Sequence, residues 1–150
     1  MFTYFLFLII VLIHFCEHLA QVYQLYFLNW PRLDCLGLIG LKYPLLIQNE
    51  LLHYFFAIYM LVGMNYFYYK VTNKFWWNVG IGIQTYHYLE HVILLNQWLN
   101  KIPLKDRISI GSFLLPRLEL HFVYNLIVSL CMLLSIFAFK KKTNVFRKNL

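Results

Sequence analysis

In 150 residues the chain is 61% hydrophobic and 20% aromatic, with only 13% charged residues and a mean hydropathy of +0.61. That composition excludes an ordinary soluble domain and a disordered chain, and it matches a polytopic membrane protein. The net charge of +7 is concentrated in short connections and in the tail KKKTNVFRKNL, a distribution suited to anionic lipid headgroups and not to nucleic acid.

A helix needs about 20 mainly apolar residues to cross a hydrocarbon layer, and four segments meet that length: 2–28, 44–69, 75–99 and 113–139. The expected fold class is therefore all-α, an integral membrane four-helix bundle in one domain over 1–139, followed by a basic, solvent-exposed tail over 140–150. The first segment has no Lys or Arg before Arg32 and no small-residue cleavage site, so it reads as a retained span and not a signal peptide. Trp30 closes it at headgroup level, and the connection NWPRLDCLGLIGLKY, mildly amphipathic, reads as lying along one membrane face. Pro44 suits the first turn of the second span, which Tyr66, Tyr68 and Tyr69 end. KVTNK makes a tight turn, Trp76 and Trp77 open the third span, and Trp98 closes it. NKIPLKDRISIGS then runs along the same face as the first long connection, and Pro116 suits the first turn of the last span. An even number of spans places both termini on one side, and a slight excess of basic residues there assigns them to the cytoplasm.

The ionisable residues are placed against expectation, because an ionised group at bilayer depth costs about 2.5–3.5 kcal/mol even on lenient scales. All six histidines and all four glutamates of the chain fall inside the four segments. In HFCEH (14–18) and HYLEH (87–91) the i, i+3, i+4 spacing brings two imidazoles and a carboxylate onto one helical face. ELLH repeats the i, i+3 relation with Glu50 and His53, whereas Glu119 points roughly opposite His121, so that either the helix is irregular after Pro116 or Glu119 bonds a neighbouring helix or a cation in a connection. Counted from the ends that face the two long connections, His18, His53, His91 and His121 lie eight to ten residues deep, in one layer at about 1.5 Å per residue.

Such a cluster predicts a metal cage. Four carboxylates leave a negative burden in low dielectric that two divalent ions would cancel, and Glu with imidazole suits iron, zinc or manganese. The predicted ligands are His14, Glu17, His18, Glu50, His53, His87, Glu90, His91, Glu119 and His121. Gln21, Gln24, Asn49 and Gln84 continue the polar stripes as hydrogen-bond partners of those ligands, and Arg117, Tyr124 and Asn125 share the face of His121, where they suit a substrate headgroup or an outer bond. The spacing from His18 to His53 and from His91 to His121 suggests a duplicated helical hairpin. Cys16, Cys35 and Cys131 form no zinc or disulfide pattern.

HFCEH and HYLEH resemble the HxxEH motif of inverzincin zinc peptidases, which implies zinc bound by two histidines with the glutamate as base. They also resemble the HxxxH boxes of membrane fatty-acid desaturases and hydroxylases, which implies two irons held by histidine clusters; no HxxHH box is present. The functional expectation is a di-iron membrane oxidoreductase acting on a lipid or other apolar substrate, served by an electron-donor protein or a second copy of the chain. Three alternatives use part of the pattern: a haem-binding electron carrier, a metal-ion or proton pathway, and an accessory subunit of a larger membrane complex.

Overall fold

The computed structural model describes residues 2–148, with side chains described for 2–46 and 49–136. Among these residues there are six α-helices and no strand: α1 (Phe2–Tyr26), α2 (Gly37–Lys42), α3 (Pro44–Gln48), α4 (Glu50–Tyr66), α5 (Lys74–Leu99) and α6 (Arg117–Lys148). The chain is all-helical, as its sequence implies. Short 3-10 turns at Arg32–Asp34, Tyr68–Lys70, Leu104–Asp106 and Gly111–Phe113 shape the connections.

The second predicted span is broken in two. Asn49 takes an extended backbone conformation (φ −85°, ψ 109°), and its side chain accepts a hydrogen bond from the Leu51 amide at 2.9 Å. An Asn followed by Glu is a helix start with an acid in the first turn, and that local chemistry overrides the apolar run. The 17 residues of α4 reach only roughly 25 Å at 1.5 Å each. The 26-residue α5 has the length, but its histidines, amides and Glu90 make it too polar. As a result two helices, α1 and the Arg117–Ile136 part of α6, are long and apolar enough to cross a membrane, where the sequence predicts four. The last predicted span begins at Arg117 and not at 113, because 111–113 form a turn and Pro116 bars the helical conformation to the residue before it. The predicted solvent-exposed tail, 140–150, falls on side chains outside the described residues.

The helices form a closed ring. α4 packs on α5, α5 on α6 and α6 on α1, and aromatic side chains join α1 to α4, with the Phe7 ring 5.6 Å from Tyr59 and 5.3 Å from Phe67. Gly63 permits that approach, since a Cβ there would overlap the Phe7 ring. The interior is divided along its length. Toward the Tyr68–Lys70 turn, Phe7, Val11, Met60, Met64, Trp77 and Val128 form an apolar core, and the Trp77 indole N–H donates to the Met64 carbonyl at 2.9 Å, satisfying its polar tip. Toward the two long connections the interior is polar, while Leu12, Leu19, Phe55, Val62, Leu89 and Leu130 face outward.

Candidate metal centre

Residues four apart on a helix stand one above the other. His14 and His18 on α1 bring their Nε2 atoms to 3.0 Å, and His87 and His91 on α5 bring theirs to 3.1 Å. Two ligands bonded to one metal at about 2.0–2.1 Å stand about 2.9–3.4 Å apart for bond angles between right-angled and tetrahedral. Each pair is therefore at chelating separation.

His121 on α6 completes a triad. Its Nδ1–H donates to the Arg117 carbonyl at 2.8 Å; a carbonyl can only accept, so Nε2 carries a lone pair. That Nε2 is buried without a partner, as are Nδ1 of His87 and Nδ1 of His91. The His121 ring centroid lies 5.3 Å from His87 and 4.8 Å from His91. Among the described residues, His87, His91 and His121 are the group whose ligand atoms all fall within 4.8 Å of one another, all three buried. This group could hold a metal ion.

The other three imidazoles adjoin it. The His53 ring lies 5.8 Å from His91 and 6.5 Å from His121, and its Nδ1–H donates to the Asn49 carbonyl at 3.1 Å. His18 lies 6.1 Å from His121, with Nδ1–H donated to Gln21 Oε1 at 2.9 Å. His14 stacks on Phe56 at 3.7 Å. In His18, His53 and His121 a fixed acceptor sets the tautomer and leaves Nε2 as the ligand atom, the arrangement that orients metal-binding histidines.

The glutamates stand outside the triad, and each is engaged elsewhere. Both Glu17 oxygens accept amides at the start of α2, from Leu38 at 3.0 Å, Ile39 at 2.8 Å and Gly40 at 3.1 Å. Glu50, fully buried, is paired with Arg107 at 3.0 Å and with Arg117. Glu90 accepts the Gly111 amide at 2.6 Å, and Glu119 accepts from Arg32 at 2.8 Å and from the Tyr26 hydroxyl at 3.1 Å. One oxygen each of Glu50, Glu90 and Glu119 is buried without a partner. The charge that the sequence assigns to two cations is thus met largely by arginines and backbone amides.

The remaining predicted residues divide by contact. Gln21 and Asn49 hold imidazoles, the latter through its carbonyl. Gln84 donates to the Ala57 carbonyl at 3.1 Å, between α5 and α4. Gln24 pairs with the backbone of Gly37, accepting its N–H at 2.8 Å and donating to its carbonyl at 3.1 Å. The Tyr124 ring lies 5.0 Å from His87, Asn125 donates to the His121 carbonyl at 2.9 Å, and neither lines the two cavities described below. Sequence reasoning missed Gln97, which pairs in the same two-way manner with Ile108, accepting at 2.9 Å and donating at 2.6 Å. The connection cation it offered as a partner for Glu119 is Arg32, and it missed Arg107, which follows PLKD in the second connection.

Two cavities reach the imidazoles. One, of about 440 Å³, opens between the two connections, with His18, His53 and His121 at its depth. The other, of about 280 Å³, enters between α1 and α4 past Ile10, Ile13, Leu52 and Phe56 to His14 and His53. No family model matches the chain, and neither a curated protein nor a solved structure matches it.

Proposed function

We propose that the protein is an integral membrane, metal-dependent oxidoreductase of lipids or other apolar molecules. In this reading the bundle crosses the bilayer four times with both termini on the cytoplasmic side, and the imidazole cluster holds two divalent ions, iron favoured. The observation that carries the reading is the convergence of six imidazoles from α1, α4, α5 and α6 around buried ring nitrogens that lack partners. The distribution of side chains supports a membrane setting: among the described residues the buried polar side chains, 14, almost equal the buried apolar ones, 15, far more than a soluble core carries, while large apolar side chains cover the outside.

Matching bonds in the two halves support a duplicated hairpin and hence two ions. Gln24 and Gln97 each grip a connection, Glu17 and Glu90 each take its amides, and His53 and His121 each donate to the carbonyl four residues back. The imidazole-rich set suits iron or zinc better than manganese, which prefers oxygen ligands, and oxidation requires a metal that changes valence. In a hydroxylation, one atom of dioxygen enters a C–H bond and the other leaves as water, with two electrons and two protons from a donor. The residues of this chain hold the ligand rings through Gln21 and the carbonyls of Asn49 and Arg117, and the slot beside Phe56 guides an apolar chain to the centre while keeping water out.

A haem would take imidazoles from facing helices, and the i, i+4 pairs, with Nε2 atoms 3.0 and 3.1 Å apart on one helix face, are not such pairs. Elemental analysis of detergent-purified protein tests the proposal. Iron near two atoms per chain without a Soret band is expected, with at least half of it lost in His91→Ala and in His18→Ala. A Soret band, or protein that stays metal-free when iron is supplied during expression, overturns it.

A further inference from the structure

The cavity between the connections carries a charge that the metal centre does not explain. Arg32, Lys105, Arg107 and Arg117 line it, no acidic side chain does, and the only carboxylates paired with these cations are Glu50 and Glu119. Lys105 is thus left without an ion pair among the described residues, and Arg107 and Arg117 share the single carboxylate of Glu50. Exposure falls inward, from Arg32 with 55% of its side chain exposed to Arg107 with 9%, so the cations form a funnel above the imidazoles. Arg117 lines it too, and its Nη1 is a buried donor without a partner. A guanidinium with a free N–H in a partly desolvated cleft is a site for a carboxylate or phosphate oxygen.

The second cavity has the opposite chemistry, since Ile10, Ile13, Leu46, Leu52 and Phe56 make it an apolar slot, and His53 lines both. At about 440 Å³ the first cavity has the size of a small-molecule site, which runs about 300–1,000 Å³, and the slot adds about 280 Å³ to it. We propose that together they bind an anionic single-chain amphiphile, its carboxylate or phosphate head against Arg117, Arg107 and Lys105 and its hydrocarbon chain in the slot, so that the carbons near the head pass His53. The inference rests on the proposed oxidoreductase in making this amphiphile the substrate. Binding itself needs no metal.

The test uses the full chain in neutral detergent, with and without chelation of metal, and calorimetric titration with dodecanoate, dodecyl phosphate, dodecanol and inorganic phosphate. Both anionic amphiphiles should bind about tenfold or more tighter than dodecanol and than inorganic phosphate, in the chelated protein as well. Arg117→Gln should remove most of the preference over dodecanol. Lys105→Gln, at an exposed side chain with no hydrogen-bond or ion-pair partner to release, should lower it about threefold without a change in thermal midpoint. Leu52→Trp, which narrows the slot, should weaken dodecyl phosphate and leave inorganic phosphate unchanged. Equal affinity for dodecanol overturns the cationic head site, and equal affinity for inorganic phosphate overturns the slot. Absence of metal with these preferences intact counts against the oxidoreductase alone; loss of the preferences in iron-loaded protein counts against this inference alone.

Discussion

Glu17 lies between two histidines in sequence, yet its carboxylate turns to the amides of Leu38, Ile39 and Gly40. The negative charge sits where the dipole of α2 and three otherwise unbonded N–H groups favour it. Glu17→Ala is expected to lower stability by about 2–3 kcal/mol by leaving those donors unpaired, read as a fall in thermal midpoint in detergent, while the metal content stays at the wild-type value. Metal loss in that variant would return Glu17 to the ligand set. The imidazole cluster was legible in the sequence because i, i+4 spacing and depth fix where a ring can go. The glutamates were not, because their partners lie in connections 21 to 23 residues away for Glu17 and 87 away for Glu119 and Arg32, and spacing along a helix carries no record of what a connection brings back.

At the scale of elements, glutamine side chains on the helices tie down the long connections. Gln24 and Gln97 each make a pair of bonds to one backbone unit, but the first pair is buried and the second exposed. Since a bond open to water is replaced by water at little cost, Gln24→Leu should destabilise by about 2 kcal/mol and Gln97→Leu by about 1 kcal/mol or less. Equal midpoints for the two variants would contradict this ordering. The break at Asn49 was available in the sequence, as an Asn-Glu helix start inside an apolar run; hydropathy averaged over a whole span erases it. At the head of α4 the Asn49 carbonyl holds the His53 ring four residues on, as the Arg117 carbonyl holds His121 in α6.

Across the whole molecule the two halves exchange charges. Arg32, in the connection after α1, reaches Glu119 at the head of α6, and Arg107, in the connection before α6, reaches Glu50 at the head of α4. The exposed member of this pair contributes little, so Arg32→Ala should leave the midpoint close to wild type. Glu50 is fully buried, and Glu50→Leu should cost about 3–5 kcal/mol because Arg107 and Arg117 are then left without a counter-ion. A Glu50→Leu midpoint within error of wild type would mean that water reaches those guanidinium groups freely.

This exchange also constrains how the chain can be assembled. A fragment ending before Lys74 would hold the buried Glu50 without Arg107 and Arg117, and the complementary fragment would hold those two guanidinium groups without the carboxylate they share, so neither is equipped to persist in isolation. Severing the polypeptide at the KVTNK turn and co-producing the pieces should restore one particle that melts in a single transition, whereas each piece produced alone should be degraded.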